Sequence, residues 1–421
     1  MRIRKISVLC LILIMGTGLF ASSLTLEQAL DAARGSNSTI KVATLTLQQA
    51  LREGETNTYL PSISLDLGVK TVGSIANNSI DTTYSVGGIS FSLDSSNSYT
   101  RKQLALSSIT AQNTYQSTLN TVEANVTTAY WNVVAAQLAE TSEQATVEKE
   151  QRYYDQAQKR YEAGLTTQLA VNEAKLALYD SQLTLQEAQI TTEKSIDSLN
   201  LLLGKSDTWE MDDLPTLKTV QALDALTALT MKTTTVKTLD LAVQQAKLNL
   251  ASEKSTALSP TLSVSASTGL SGSISSSGVT FADATSISVG VSVPLDAYLK
   301  NSSSQVSLDS KKYGVEIAQA EYESGVTSLK AKVKTAYTAL QQALSTLKKL
   351  KEHNALAKEQ LVLVQQSYEA GLSTFSDLQD SLTEVQSSNI AIVQQNLEYT
   401  LSLYDLSYLL EVDSSVITIT N

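Results

Sequence analysis

The sequence predicts a mainly α-helical, internally duplicated protein with four β-strands that contribute to a membrane β-barrel. Three observations carry that fold class. The pentapeptide Tyr161-Glu162-Ala163-Gly164-Leu165 recurs as Tyr368-Glu369-Ala370-Gly371-Leu372, 207 residues later. Each copy lies in a long proline-free run rich in Gln, Ser, Thr, Ala and Leu, and each run follows a stretch in which apolar and polar residues alternate. Alternation with period two is the pattern of a strand. A period near 200 residues is far too long for a solenoid repeat, so one hairpin design is built twice; Ala129-Tyr130 and Ala336-Tyr337 keep the same offset.

Residues 1–21 read as a secretory signal peptide. Arg2, Arg4 and Lys5 precede an apolar run from Val8 to Met15, and Ala21-Ser22-Ser23 close it with small side chains. The run is shorter than the roughly 20 residues of a spanning helix. The only cysteine, Cys10, follows Leu9 inside it, so the mature chain is expected to carry neither disulfide nor lipid anchor.

The first repeat, 22–204, is expected to contain a helix at about 39–58, a strand pair within 59–99, a continuous helix to 162, a tip at Gly164 and a return helix to about 203. The outgoing helix would rise about 95 Å and the return helix about 57 Å. The return helix and the helix before the strands would therefore run end to end beside the long one. The second repeat, 227–410, repeats the plan with a strand pair within 258–300 and a tip at Gly371. Residues 205–226 form a linker at an equatorial level, and 411–421 a C-terminal tail.

In the strand stretches Ile63, Leu65, Leu67 and Val69 alternate with polar residues, as do Leu262, Val264 and Ala266, and then Ile287, Val289, Val291 and Val293. Tyr59, Tyr84, Tyr99, Phe281 and Tyr298 lie near the strand ends, where rings sit at a membrane interface. Two hairpins on a soluble core are the alternative, but the rest of the chain reads as helix and offers no second apolar layer. The return helix has two apolar lines, Leu169, Leu176, Leu183 and Ile190 on one side and Val171, Leu178 and Leu185 about 200° around. Two opposed seams suit a helix with a neighbour on each side of a curved wall; a coiled-coil hairpin with one seam is the other possibility. The second repeat keeps one line as Leu378, Val385 and Ile392, the other less well.

A net charge of −11 excludes nucleic acid as a partner, since a polyanion needs a basic footprint. One histidine, His353, and no mature cysteine leave no serine triad, thiol nucleophile or zinc cluster of the usual types. Glu210, Asp212 and Asp213 lack the spacing of a calcium loop. No enzymatic activity, cofactor or metal is expected.

The order of these parts resembles the TolC-like outer-membrane efflux protein family. The stretch Leu24-Thr25-Leu26-Glu27-Gln28-Ala29-Leu30 is similar to that family's mature N-terminus, and both Tyr-x-x-Gly-Leu turns are similar to its hairpin tips. The resemblance implies a homotrimer in the outer membrane, spanning into the periplasm, with a long α-helical coiled-coil barrel and four strands per chain completing a trimeric outer-membrane barrel. It implies a channel that passively conducts substrate outward in a tripartite efflux or type I secretion system. The partners implied are outer-membrane lipid, a periplasmic adaptor (membrane fusion) protein and an inner-membrane transporter of RND or ABC class. A non-channel periplasmic coiled-coil spacer or adhesin is the alternative.

By the same resemblance Asp377 and Asp380 would form a cation ring at the channel constriction. Three residues apart, they share a helix face; the competing reading is two solvated acids favoured by the helix dipole. Tyr368 and Tyr161 would be gate contacts, and Gly164, Leu165, Gly371 and Leu372 the tips that meet the adaptor. Ser373 stands where the family's latch has an arginine, and Ala170 where an acid is common, which removes the salt-bridge part of that latch.

Overall fold

A computed structural model of the chain describes residues 22–56, 62–74, 79–90, 96–211, 218–267, 270–275, 278–283 and 286–419. The signal segment 1–21, Tyr59, and Asp212 and Asp213 of the linker lie outside them. Contacts divide the chain into two compact units, one of Met1–Asn37, Asn125–Thr216 and Ser345–Leu401, the other of Ser38–Ala124, Leu217–Leu344 and Ser402–Asn421.

The described residues begin with β1 (Ser22–Leu24) and α1 (Leu26–Ser36). Thr25 starts α1 with a reciprocal cap, in which Gln28 N–H donates to Thr25 Oγ1 at 3.3 Å and Thr25 N–H to Gln28 Oε1 at 3.1 Å. Next come α2 (Ser38–Gly54), β2 (Ser62–Ser74) and β3 (Ser79–Ser90). The 67 residues of α3 (Ser96–Glu162) rise about 100 Å without a proline to break them. α4 (Gln168–Leu203) ends at Gly204, whose φ of 62° closes it in the left-handed conformation. β4 (Trp209–Met211), β5 (Thr219–Val220), α5 (Leu223–Leu229) and α6 (Thr234–Leu258) lead into the second repeat. There β6 (Thr261–Ser267), β7 (Leu270–Ser275), β8 (Gly278–Asp283) and β9 (Ser286–Ser292) precede α7 (Ser303–Glu369) and α8 (Phe375–Leu410). α7 and α8 have the 67 and 36 residues of α3 and α4. α9 (Ser414–Ile417) and β10 (Thr418–Ile419) follow.

The unit that holds the sheet is built on antiparallel pairing. β2 pairs with β3, β3 pairs with both β6 and β7, and these pair with β9 and β8 respectively. The four segments of the second repeat thus make two passes in one register, so the sheet has four passes in all. Among the described residues its outer passes, β2 and β8/β9, each have a partner on one side only. Tyr84 and Phe281 fall within β3 and β8, whereas Tyr99 lies in the first turn of α3 and Tyr298 in a 3-10 turn, 72% exposed. In this unit α6 and α7 approach so closely that a Cβ on Gly325 would overlap the Leu239 side chain.

The other unit is anchored by β1, which pairs in parallel with β4. The buried Tyr130 hydroxyl donates to Leu24 O at 2.9 Å, Gln137 Nε2 to Trp209 O at 2.8 Å, and Trp209 Nε1 to Asn200 Oδ1 at 2.7 Å. Asn200 Nδ2 donates in turn to Asp207 O at 2.8 Å. Each side-chain amide here satisfies a backbone or indole group that burial would otherwise leave unpaired.

Candidate functional site

The two hairpin tips are built alike. At the end of α3 Leu165 N–H donates to Arg160 O at 2.8 Å and Gly164 N–H to Tyr161 O at 2.8 Å; at the end of α7 Leu372 N–H donates to Ser367 O at 2.8 Å and Gly371 N–H to Tyr368 O at 3.0 Å. This pair of bonds is the Schellman closure, which needs a residue with positive φ. Gly164 and Gly371 supply it at 72° and 77°. A Cβ at either would meet nothing within 4 Å, so glycine is required for backbone handedness alone. Leu165 and Leu372 project outward, 70% and 83% exposed.

Behind the tips three helices meet in a small core of Ala157 (α3), Val171 and Ala174 (α4), and Phe375, Leu378 and Leu382 (α8). Tyr368 packs against it and meets the Phe375 ring edge-on, centroids 6.1 Å apart. The Arg160 guanidinium lies 5.2 Å from the Tyr368 centroid, a cation–π contact between the two hairpins. Ser373 donates its hydroxyl to Val364 O at 3.3 Å. Tyr161 remains 43% exposed.

Of the two apolar lines on α4, Val171 and Leu178 are buried, whereas Leu169, Leu176, Leu183 and Ile190 are exposed within the chain. On α8 Leu378 and Val385 are buried.

Asp377 and Asp380 have different surroundings. The Asp377 carboxylate accepts from both the N–H and the hydroxyl of Thr374, each at 2.8 Å, while Asp377 N–H donates to Thr374 Oγ1 at 3.2 Å. These bonds, the backbone one first, hold its carboxyl below the usual range. Asp377 is therefore the closing half of the α8 cap. Asp380, one turn on, lines a groove of about 530 Å³ with Glu173 and Asp180 of α4 and Glu150 of α3. Among the described residues no group of three or more His, Cys, Asp or Glu is arranged to hold a metal ion.

Two buried acids bridge the hairpins. Glu143 and Glu150 on α3 are each only 2% exposed; Gln386 Nε2 of α8 donates to Glu143 Oε2 at 2.6 Å and Gln379 Nε2 to Glu150 Oε1 at 3.1 Å. Burial pushes both carboxyls up, against the smaller opposing pull of the glutamines. The sequence reading missed these rungs and Arg160. A signal was present: Glu143, Glu150 and Ala157 form one heptad line, and 207 residues on the same line reads Leu350, Ala357 and Val364. Acids in a line that is apolar in the other copy mark a buried polar seam.

The outer membrane efflux protein family model matches residues 27–205 and again 234–410. Among solved structures the chain is similar to a membrane protein from Pseudomonas aeruginosa (TM-score 0.79, 16% identity, covering 93% of this chain and 91% of that one). It is also similar to the CmeC outer membrane channel of Campylobacter jejuni (0.75, 14%, 93% and 88%) and to the outer membrane protein VceC of Vibrio cholerae (0.77, 14%, 91% and 95%). A search of curated protein sequences finds no match.

Proposed function

Because the chain belongs to the outer membrane efflux protein family, we propose that it is the exit duct of a tripartite efflux or type I secretion system, built as a homotrimer. The open sheet carries this reading. Among the described residues its four passes leave β2 and β8/β9 unpaired on one side, and an open edge in lipid costs several kcal/mol per unpaired group. The smallest spanning barrels need about eight strands, and three chains supply about twelve. On β9 the alternate residues Ile287, Val289 and Val291 are 75%, 67% and 69% exposed, a face suited to acyl chains. The exposed line on α4 calls for a neighbouring helix in the same way.

In this arrangement the barrel crosses the outer membrane and the helices enclose a passage reaching into the periplasm. Having no energy-converting motif, the duct conducts passively, coupled through a periplasmic adaptor to an inner-membrane transporter of RND or ABC class. The tips at Gly164, Leu165, Gly371 and Leu372 meet the adaptor. Tyr368 and Tyr161 belong to the contacts that close the duct, with Arg160 bearing on Tyr368. Asp377 and Asp380 of three chains place six carboxylates around the constriction and favour cations.

Reconstitution in planar bilayers tests the reading. A channel gives voltage-independent conductance, and light scattering after detergent correction gives the mass of three chains. A protein without conductance is instead the coiled-coil spacer.

A further inference from the structure

We propose that Glu150 is a proton-operated latch between the two hairpins: protonated, it forms a reciprocal pair of hydrogen bonds with Gln379 that holds α3 against α8, and ionised, it leaves half of that pair unmade. One bond is present, from Gln379 Nε2 to Glu150 Oε1 at 3.1 Å. The other ends of the same two groups, Glu150 Oε2 and Gln379 Oε1, are both buried without a hydrogen-bond partner. Both are acceptors when the acid is ionised. A proton on Oε2 supplies the missing donor, and a carboxylic acid and a primary amide then match donor to acceptor twice. Ionisation removes that donor and leaves a charge at a site only 2% exposed, where an incompletely satisfied charge is costly.

The surroundings favour the proton. Lys149 and Tyr153 are near on α3, and the Gln379 bond and the weaker Lys149 charge oppose protonation. The groove brings Glu173 and Asp180 from α4 and Asp380 from α8, all acids; α7 places Tyr368 and Glu369 near Tyr153. Burial outweighs the help from Gln379 and Lys149, so the carboxyl titrates above its ordinary value of 4.5. The sign follows from linkage: the folded seam binds the proton more tightly than the open chain, so acidification tightens it as pH falls through the raised pKa, with no further gain below the ordinary value. Glu143 has half of the arrangement one heptad away, with Oε1 buried and unpartnered and Gln386 on the other oxygen. The latch lies within one chain and stands apart from the duct reading.

Hydrogen exchange on the full-length protein in detergent tests it. After correction for intrinsic rates, protection of residues 143–157 and 379–386 should fall as pH rises from below the ordinary carboxyl value to about 8. Glu150→Gln keeps the shape and supplies an amide N–H where the acid supplies O–H, so its pH dependence should shrink to the part that Glu143 contributes. The same pH dependence in E150Q as in the native chain overturns the proposal. Infrared titration gives a second reading that does not need E150Q to fold. In an E143Q/D405N background, which removes the other two acids, among the described residues, whose pKa burial raises, a protonated-carboxyl band should persist above the ordinary carboxyl pKa. Its absence overturns the proposal as well.

Discussion

Replacing Leu176 and Leu183 of α4 by serine isolates the contact between chains from the core within each chain. Both side chains are largely exposed, 62% and 59%, although Leu178 on the opposite line is 5% exposed. Full burial of a leucine is worth about 1.5–3 kcal/mol. Covering the remaining six-tenths therefore contributes about 1–2 kcal/mol per side chain. Two leucines in each of three chains give about 5–11 kcal/mol per assembly, or several powers of ten in a dissociation constant at 1.4 kcal/mol per tenfold. The double variant should retain native helix content by circular dichroism, because Val171 and Leu178 are untouched. The assembly should dissociate in detergent at a clearly lower temperature, followed by light scattering. Dissociation at the native temperature would show that this line faces solvent and would refute the reasoning.

Gly164→Val and Gly371→Val should impair efflux, read as drug accumulation in cells, without reducing assembled protein. A side chain in the left-handed conformation costs about 1–2 kcal/mol, and asparagine at either site should be tolerated better than valine. The double change Asp377→Asn with Asp380→Asn should weaken cation selectivity in bilayers and abolish block by multivalent cations from the periplasmic side; unchanged selectivity would leave both acids as helix-start residues only. Because the Thr374 bonds lower the Asp377 pKa, the cap contributes above the unfolded value and is lost as pH falls through the folded one. Exchange of the first-turn amides of α8 should accelerate in acid. Asn200→Ala strips the buried Trp209 indole of its acceptor and should lower unfolding stability in urea by about 1–3 kcal/mol.

The duplication and the long helices were legible because they rest on local signals: a repeated pentapeptide, proline-free runs and one glycine at each tip. The alternation of Ile287, Val289 and Val291 marked the sheet for the same reason. The two lines on α4 were legible as a pattern, but only the structure shows that Val171 and Leu178 are covered within the chain and Leu176 is not. The site was harder to read. Asp377 and Asp380 look like a pair in sequence, yet Thr374 engages one in a cap while the other faces the groove. The contact of Arg160 with Tyr368 joins residues more than 200 positions apart in the chain, and no helix period reports it. Glu143 and Glu150 pass for ordinary surface acids until the heptad line is followed to Ala157.

The two rungs between α3 and α8 also bear on how the chain sorts its own parts. Two hairpins of the same length, closed by the same pentapeptide, invite mispairing during folding, when α3 and α7 compete for the same partners. Gln379 and Gln386 on α8 match Glu143 and Glu150 on α3, but α7 presents Ala357 and Leu350 at the corresponding heptad positions. Placing α7 where α3 belongs would strand two glutamines against apolar side chains, which costs several kcal/mol. The polar rungs thus act as an identity mark that distinguishes one copy of the duplicated hairpin from the other. Once a gene has doubled, such a mark allows near-twins to assemble in a single order.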